Sequence, residues 1–374
     1  MNEITKSATR PLPRAEVMQI AAYVSGESKI AGVNRIIKLS SNEGAFGPPP
    51  GAQTAFIKVA SEMHRYPDGA STELRRALGA RFGLDPDRII CGTGSDELIQ
   101  HICHIYAGPG TDILMTMHGF SMYQISGTYS GARVIKVPEK NYCTDVDALI
   151  AAVTPETRVV FIANPNNPTG SLLPQSEVER LRAGLPADVL LVLDAAYSEY
   201  VDDPDYDAGA KLVDAGGENT IMLRTFSKVF GMGGMRVGWA YAPTEVIDAM
   251  NRVRGVFNVN IAAQHAAVAA LAEPGWVEMS VAHNIKWREW LMGQLNAVGI
   301  KTLPSVGNFF LADFENDARA KQANEYLKSR GIIVRGVAGY HLPTMLRITV
   351  GTEEECRLVA AALAEFQANV PSNV

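Results

Sequence analysis

The sequence predicts an α/β fold in which a mostly parallel sheet lies between helix layers and is followed by a smaller α+β unit. Three observations carry that expectation. From about residue 71, helix-patterned stretches alternate with short apolar runs. Several runs, Val189-Leu190-Leu191-Val192-Leu193 among them, show no polar alternation, as strands covered on both faces do. After Asn260 the pattern changes to alanine-rich and long amphipathic helices with three further strand candidates, in a chain of 374 residues that exceeds one small core.

Taken in order, residues 1–40 read as an entry segment that packs with the smaller unit. It has helical periodicity over 14–24 and a short apolar stretch at Ile36-Ile37-Lys38-Leu39. Ser40 through Pro50 reads as a loop, because Pro48, Pro49 and Pro50 fix φ and remove donors. Helices are expected over 51–63, 72–82 and 95–106, the last with Leu98, Ile99, Ile102 and Ile105 on one side. Arg65-Tyr66-Pro67-Asp68-Gly69 reads as an exposed turn. Strands are expected at 88–91, 112–115, 133–137, 159–162, 189–193 and 220–223. Further on come helices over 262–272, 277–297 and 318–330, and strands over 309–312, 332–335 and 346–350. Thr352-Glu353-Glu354-Glu355 has the capping-box spacing that opens a last helix. The expected division is a large unit over 41–269 and a small one over 270–374.

Composition narrows the function classes. A hydrophobic fraction of 47% and a charged fraction of 20% belong to a packed chain rather than a disordered one. A formal net charge of -6 without a long basic run argues against sequence-independent nucleic-acid binding. Cys91, Cys103, Cys143 and Cys356 lack Cys-x-x-Cys spacing, which fits packing residues in a reduced compartment. His101, Cys103 and His104 cluster without a second ligand pair, so no metal site is expected. The first thirty residues hold no signal-peptide apolar region, and no apolar run is long enough for a bilayer. The expectation is a cytoplasmic protein without membrane contact.

Four constellations carry chemistry. Ile89-Ile90-Cys91-Gly92-Thr93-Gly94-Ser95-Asp96-Glu97 runs from a strand through glycines into a helix start, an arrangement whose free N–H groups suit an anion. An ordinary βα turn with Asp96 and Glu97 as first-turn acids reads the same way. A dinucleotide site is disfavoured, since the third fingerprint glycine is missing. Asn164-Pro165-Asn166-Asn167-Pro168-Thr169-Gly170 follows a strand and stiffens a loop that presents Asn167, or is a tight turn with no ligand. Asp194, at the end of Leu191-Val192-Leu193-Asp194-Ala195-Ala196-Tyr197, is costly to bury unless it meets a cation. A pyridinium nitrogen, a metal ion or a helix start would each satisfy it. Finally, Thr225-Phe226-Ser227-Lys228 leads through Gly231, Gly233 and Gly234 to Arg236, which suits a Schiff-base amine beside a bound phosphate. A surface lysine in a glycine-rich loop carries the same residues. Together the four supply what holds a phosphorylated, protonatable aromatic aldehyde on a lysine: pyridoxal phosphate.

On the Asn164–Gly170 motif and on Ser227-Lys228 with its downstream Arg236, the chain resembles the fold-type I pyridoxal-phosphate aminotransferases of class I/II. It most resembles the histidinol-phosphate aminotransferases, from about Ser40 to the C-terminus. The resemblance implies a seven-stranded sheet in the large unit and a cofactor held through Lys228, which later moves a proton. It implies Asp194 on the pyridine nitrogen, and Asn167 and Tyr197 on the ring oxygen. Gly94, Ser95, Asp96, Thr225, Ser227 and Arg236 would surround the phosphate. Phe120 stands where many relatives stack a tyrosine on the ring, and Asn42-Glu43-Gly44 lacks an Asn-Pro seen in many. Tyr66 would reach the other subunit's phosphate, implying a homodimer. Arg347 would clamp the substrate α-carboxylate, with Arg335, twelve positions earlier, as candidate for a substrate phosphate.

The implied reaction moves an amino group between histidinol phosphate and 2-oxoglutarate, with aromatic amino acids as possible further donors. Alternatives are an aromatic aminotransferase and a decarboxylase of a phosphorylated amino acid. The partners are small amino and 2-oxo acids.

Overall fold

The computed structural model describes residues 12–21, 27–32, 35–215 and 219–369. A two-residue strand, β1 (Ile37–Lys38), comes first. A seven-stranded sheet follows, built from β2 (Ile89–Gly92), β3 (Asp112–Thr116), β4 (Arg133–Val137), β5 (Thr157–Ala163), β6 (Leu190–Asp194), β7 (Thr220–Thr225) and β8 (Gly238–Tyr241). Its order is β2-β8-β7-β6-β5-β3-β4. β8 runs antiparallel to β2 and β7, while the pairings from β7 through β6, β5 and β3 to β4 are parallel.

That polarity positions the site. The carboxyl ends of β2, β3, β5, β6 and β7 share one edge of the sheet, and antiparallel β8 begins at that edge. Ligands of open α/β sheets bind there. β3, β6 and β7 are buried along their whole length, which is why they read as unbroken apolar runs. β8 has no such signature in the sequence. It is four residues long and starts at Gly238, where a side chain would lie 2.5 Å from the Ser95 backbone nitrogen. The strand therefore runs close beneath the helix start that follows β2.

Helix Ser95–Tyr106 forms over the expected span and buries Leu98, Ile99, Ile102 and Cys103. Two helix expectations need correction. Pro50 is not part of the loop but opens helix Pro50–Val59, with a separate 3-10 turn at Ala60–Glu62. A proline suits the first helical position, where its missing N–H would have had no partner. Of the helix expected over 14–24, only Ala15–Met18 is helical, and residues 22–24 lie outside the described residues. None of its four residues is buried, so its periodicity has no core to face.

The second sheet comprises β9 (Lys301–Thr302), β10 (Phe309–Asp313), β12 (Arg335–Gly336) and β13 (Met345–Thr349), antiparallel in the order β12-β13-β10-β9, and β11 (Ile332–Ile333) stands apart from it. The strand expected over 332–335 is thus two strands. β11 pairs parallel with β1, which ties the N-terminal segment to this half, while β12 joins β13. Helix Trp276–Ala297 bridges the halves. Val277 and Val281 pack against the core beside the large sheet, and Trp287, Leu291 and Leu295 belong to the second core. The last helix, Glu353–Asn369, has the reciprocal cap: the Thr352 N–H donates to Glu355 Oε2 at 2.8 Å, and the Glu355 N–H to Thr352 Oγ1 at 3.4 Å. Among the described residues, no helix is long and apolar enough to cross a membrane.

Candidate active site

A cleft of about 260 Å³ opens at the shared edge of the large sheet. Ser95, Asp96, Phe120, Asn167, Asp194, Tyr197, Thr225, Ser227, Lys228 and Arg236 line it, so ten residues singled out on five separate stretches meet in one place. Each reaches it from a strand end: Ser95 after β2, Phe120 after β3, Asn167 after β5, Asp194 on β6, Thr225 on β7, and Arg236 just before β8.

At one end lies an anion cradle. Helix Ser95–Tyr106 begins after Gly94 without a side-chain cap, leaving its first N–H groups directed at the cleft. Gly94 has φ 80, and a side chain there would fall 2.5 Å from an Arg236 guanidinium nitrogen. Arg236 itself is left-handed at φ 54, donates to the Gly233 carbonyl at 3.0 Å and pairs with Asp96 at 3.2 Å. Thr225 Oγ1 receives the Ser227 N–H at 3.1 Å, and the two hydroxyls lie 3.0 Å apart. Behind the cradle, Glu97 accepts from the Thr93 N–H at 2.6 Å and from Asn258 at 2.9 Å. Burial opposes its ionisation, but these bonds and His101 outweigh it and hold the acid down at about 2.

At the other end sits Asp194, 4% exposed. It accepts from the Tyr123 hydroxyl at 2.7 Å and the Ala196 N–H at 3.2 Å. Burial nevertheless pushes its pKa up to about 6, so the ionised form is short of a positive partner. Tyr123 is itself stacked on Phe161 with centroids 4.6 Å apart, which fixes the donor.

Lys228 lies between the two ends. Burial, followed by the charge of Arg347, lowers its pKa to about 8, while Asp96, Glu43 and Asp194 oppose that drop. Its Nζ donates to the Ser41 carbonyl at 3.3 Å and lies 5.5 Å from the Tyr197 ring centroid. The Tyr197 hydroxyl accepts from Asn42 at 2.9 Å, and burial keeps it protonated up to about 12.

The second half contributes Arg347, on β13. Its Nη1 donates to Asn167 Oδ1 and its Nη2 to the Ser40 carbonyl, both at 2.7 Å. Arg347 reaches the cleft through its bond to the lining residue Asn167 and does not itself line it; nor does Arg335, its register partner on the adjacent strand, which shares a face of that sheet with it. Tyr66 lies outside it: 81% exposed, it stacks on Phe257 at 4.5 Å. Sequence reasoning gave no role to Tyr123 or Asn42. Asn42, at φ 55, joins Tyr197 to Thr349 of β13 and so links the two halves at the cleft. The available signal was an Asn in a Ser-Ser-Asn-Glu-Gly turn, a residue type that tolerates the left-handed region.

The donor set fits a phosphorylated, protonatable ring aldehyde: an anion cradle, an amine of lowered basicity, and a buried carboxylate lacking a cation. Comparison with known proteins agrees. The family model described as Aminotransferase class I and II matches residues 34–363. The chain is 60% identical over 365 residues to the histidinol-phosphate aminotransferase of Granulibacter bethesdensis, covering 98% of both chains. It is 53% identical over 360 residues to that of Paramagnetospirillum magneticum, covering 96% of this chain and 99% of the other. A crystal structure of histidinol-phosphate aminotransferase from Sinorhizobium meliloti, in complex with pyridoxal-5'-phosphate, superposes with a TM-score of 0.88 at 30% identity, covering 98% of this chain and 100% of that one.

Proposed function

We propose, since the chain belongs to the class I and II aminotransferase family, that it transfers an amino group between histidinol phosphate and 2-oxoglutarate with pyridoxal phosphate as cofactor. The products are imidazole acetol phosphate and glutamate. The observation that carries this reading is the meeting of amine, buried carboxylate and anion cradle in one cleft, in a chain that aligns over nearly its full length with enzymes of that name.

When bound, pyridoxal phosphate supplies the carbon that receives the amino group and a ring that draws electrons from the bond being broken. The protein does the rest. Ser95, Thr225, Ser227, Arg236 and the helix start hold the phosphate, with Gly94 giving room and Asp96 orienting Arg236. Asp194, steadied by Tyr123, holds the ring nitrogen protonated. Asn167 and Tyr197 would donate to the ring oxygen, and Phe120 would pack against the ring. Lys228, with a pKa near 8, carries a substantial neutral fraction just above neutral pH. It can therefore take a proton at Nζ and return it. Arg347 presents a planar fork to the α-carboxylate, and Arg335, on the same face, takes the phosphate of the donor.

The same reading makes the chain a cytoplasmic homodimer in which Tyr66 reaches the partner's phosphate cradle. Its support is the exposed Tyr66–Phe257 stack beside exposed Val256. It also divides the chain into an N-terminal segment over 1–40, a large domain over 41–269 and a small one over 270–374, and its support is an apolar core drawn only from Ile37, Leu39 and residues between Trp287 and Phe366.

The test is glutamate formation from 2-oxoglutarate with histidinol phosphate, tyrosine or phenylalanine as donor. The first donor is expected to give the highest kcat/KM. Arg335→Ala should raise the KM for histidinol phosphate by ~10- to 100-fold while leaving that for 2-oxoglutarate unchanged, the loss of one charge-assisted phosphate contact. Absence of glutamate with every donor would overturn the reading.

A further inference from the structure

Strands β6 and β7 stay hydrogen-bonded up to Ala195, whose N–H donates to the Leu223 carbonyl at 2.9 Å. Past that rung the two chains part. Tyr197 and the run from Thr225 to Lys228 lie on the parted segments. A hydrogen-bonded link across the gap is a buried ion pair, in which Arg224 Nη2 donates to Glu199 Oε1 at 2.5 Å with side chains 10% and 7% exposed. Glu199 lies on the 3-10 turn Ser198–Tyr200, two residues beyond Tyr197, and receives the Ser198 hydroxyl on its other oxygen at 3.3 Å. Arg224 immediately precedes Thr225. Its guanidinium is 4.2 Å from the Phe82 ring centroid and 5.4 Å from that of Trp239, its register partner on β8. Neither charged residue lines the cleft.

A buried ion pair is a poor source of net stability, because apolar residues of like volume would serve as well. What it supplies is direction. One charge-assisted bond ties the two segments together, and the guanidinium plane lying over Phe82 and Trp239 fixes the angle at which it is made. We propose that Arg224 and Glu199 are positioning residues for the transamination described above, on which reading this inference rests. The pair sets the spacing between the Tyr197 ring and the Lys228 amine, 5.5 Å in this structure. Through the next residue, it also sets the aim of the Thr225 and Ser227 hydroxyls.

The deciding variant is the double change Arg224→Met with Glu199→Leu, which removes both charges and refills the space. Its cofactor-free melting midpoint is expected within about 3 °C of the parent. Its kcat should nonetheless fall by about 10- to 100-fold, and its dissociation constant for pyridoxal phosphate, read by tryptophan emission, should rise by about 10-fold. The KM for 2-oxoglutarate should not change, because Arg347, which takes its α-carboxylate, is held by Asn167 and Ser40 instead. Recovery of kcat and cofactor affinity along with the midpoint would make the pair merely structural and overturn the inference. If the double variant does not fold, Arg224→Lys decides. It keeps the charge without the planar group that lies over Phe82 and Trp239, and a parent-like kcat there overturns the inference, while a drop of about 5-fold or more at an unchanged midpoint supports it. The parent is the control for the functional reading itself. If it neither binds pyridoxal phosphate nor forms glutamate, that reading fails; if it does both and the variants match it, only the positioning role fails.

Discussion

The two ends of the cleft are built on opposite economies of charge. At the ring end Asp194 is 4% exposed and its ionised form is disfavoured by burial despite two hydrogen bonds. At the cradle end the Asp96 and Arg236 side chains are 41% and 42% exposed and already paired in high dielectric. The first arrangement costs free energy until a cation arrives, and the second costs little at any time. The ring end should therefore govern rate, and the cradle affinity.

Lys228 stands between them, and its removal should have the largest effect. Lys228→Ala should lower kcat by about 10⁴-fold or more, since both the attachment point and the proton carrier are lost. The visible absorbance that the parent develops with pyridoxal phosphate should not appear. Retention of that absorbance would show that another amine holds the cofactor and that the two ends do not meet at residue 228.

Asp194→Asn tests the ring end in two directions. With cofactor, loss of the counter-charge should lower kcat by about 10²- to 10³-fold. Without cofactor the variant should be the more stable protein. The Asp194 pKa is raised from 3.8 to about 6 on folding, so the folded state binds the extra proton. Its contribution to stability is full below pH 4 and is lost as the pH rises through 6, leaving a penalty of ~3 kcal/mol above that. Denaturant unfolding of the cofactor-free proteins should show the variant ahead by about that amount at pH 7.5 and by about half of it at pH 5. Equal stabilities at pH 7.5 would mean that the carboxylate is not short of a cation, and the contrast between the ends would fail.

The same contrast explains what could be read without coordinates. Central strands announced themselves because burial on both faces demands unbroken apolar runs, and the residues at their ends were legible because charged or hydroxyl side chains stood out against those runs. β8 escaped because its four residues follow a glycine-rich stretch and owe their pairing to the neighbours β2 and β7. β1 and β9, at two residues each, are too short to carry a period. Tyr123 escaped for a different reason. It lies on the helix Ser121–Ser130 in a stretch with no charged or motif residue to mark it, and only the fold brings it to Asp194, 71 residues away in sequence. Arg347 was recognisable by resemblance, but not its anchorage on Asn167 across 180 residues.

The smallest expected effect is at the cradle, where Arg236→Gln removes one charge from a site that also has a helix start and the Ser95, Thr225 and Ser227 hydroxyls. A charge-assisted hydrogen bond contributes about 1.5–3 kcal/mol, so the dissociation constant of pyridoxal phosphate should rise by ~10- to 100-fold. At saturating cofactor, kcat should stay within about 2-fold of the parent, because Asp194 and Lys228 are untouched. Half-exposed charges are screened by salt, so the affinity gap between parent and variant should narrow between 0.01 and roughly 0.5 M ionic strength. The kcat deficit of Asp194→Asn, set in a buried environment, should not respond to salt in that range. A loss of kcat in Arg236→Gln at saturating cofactor as large as that in Asp194→Asn would show that both ends act on the rate, and that the difference in their burial does not divide the work between them.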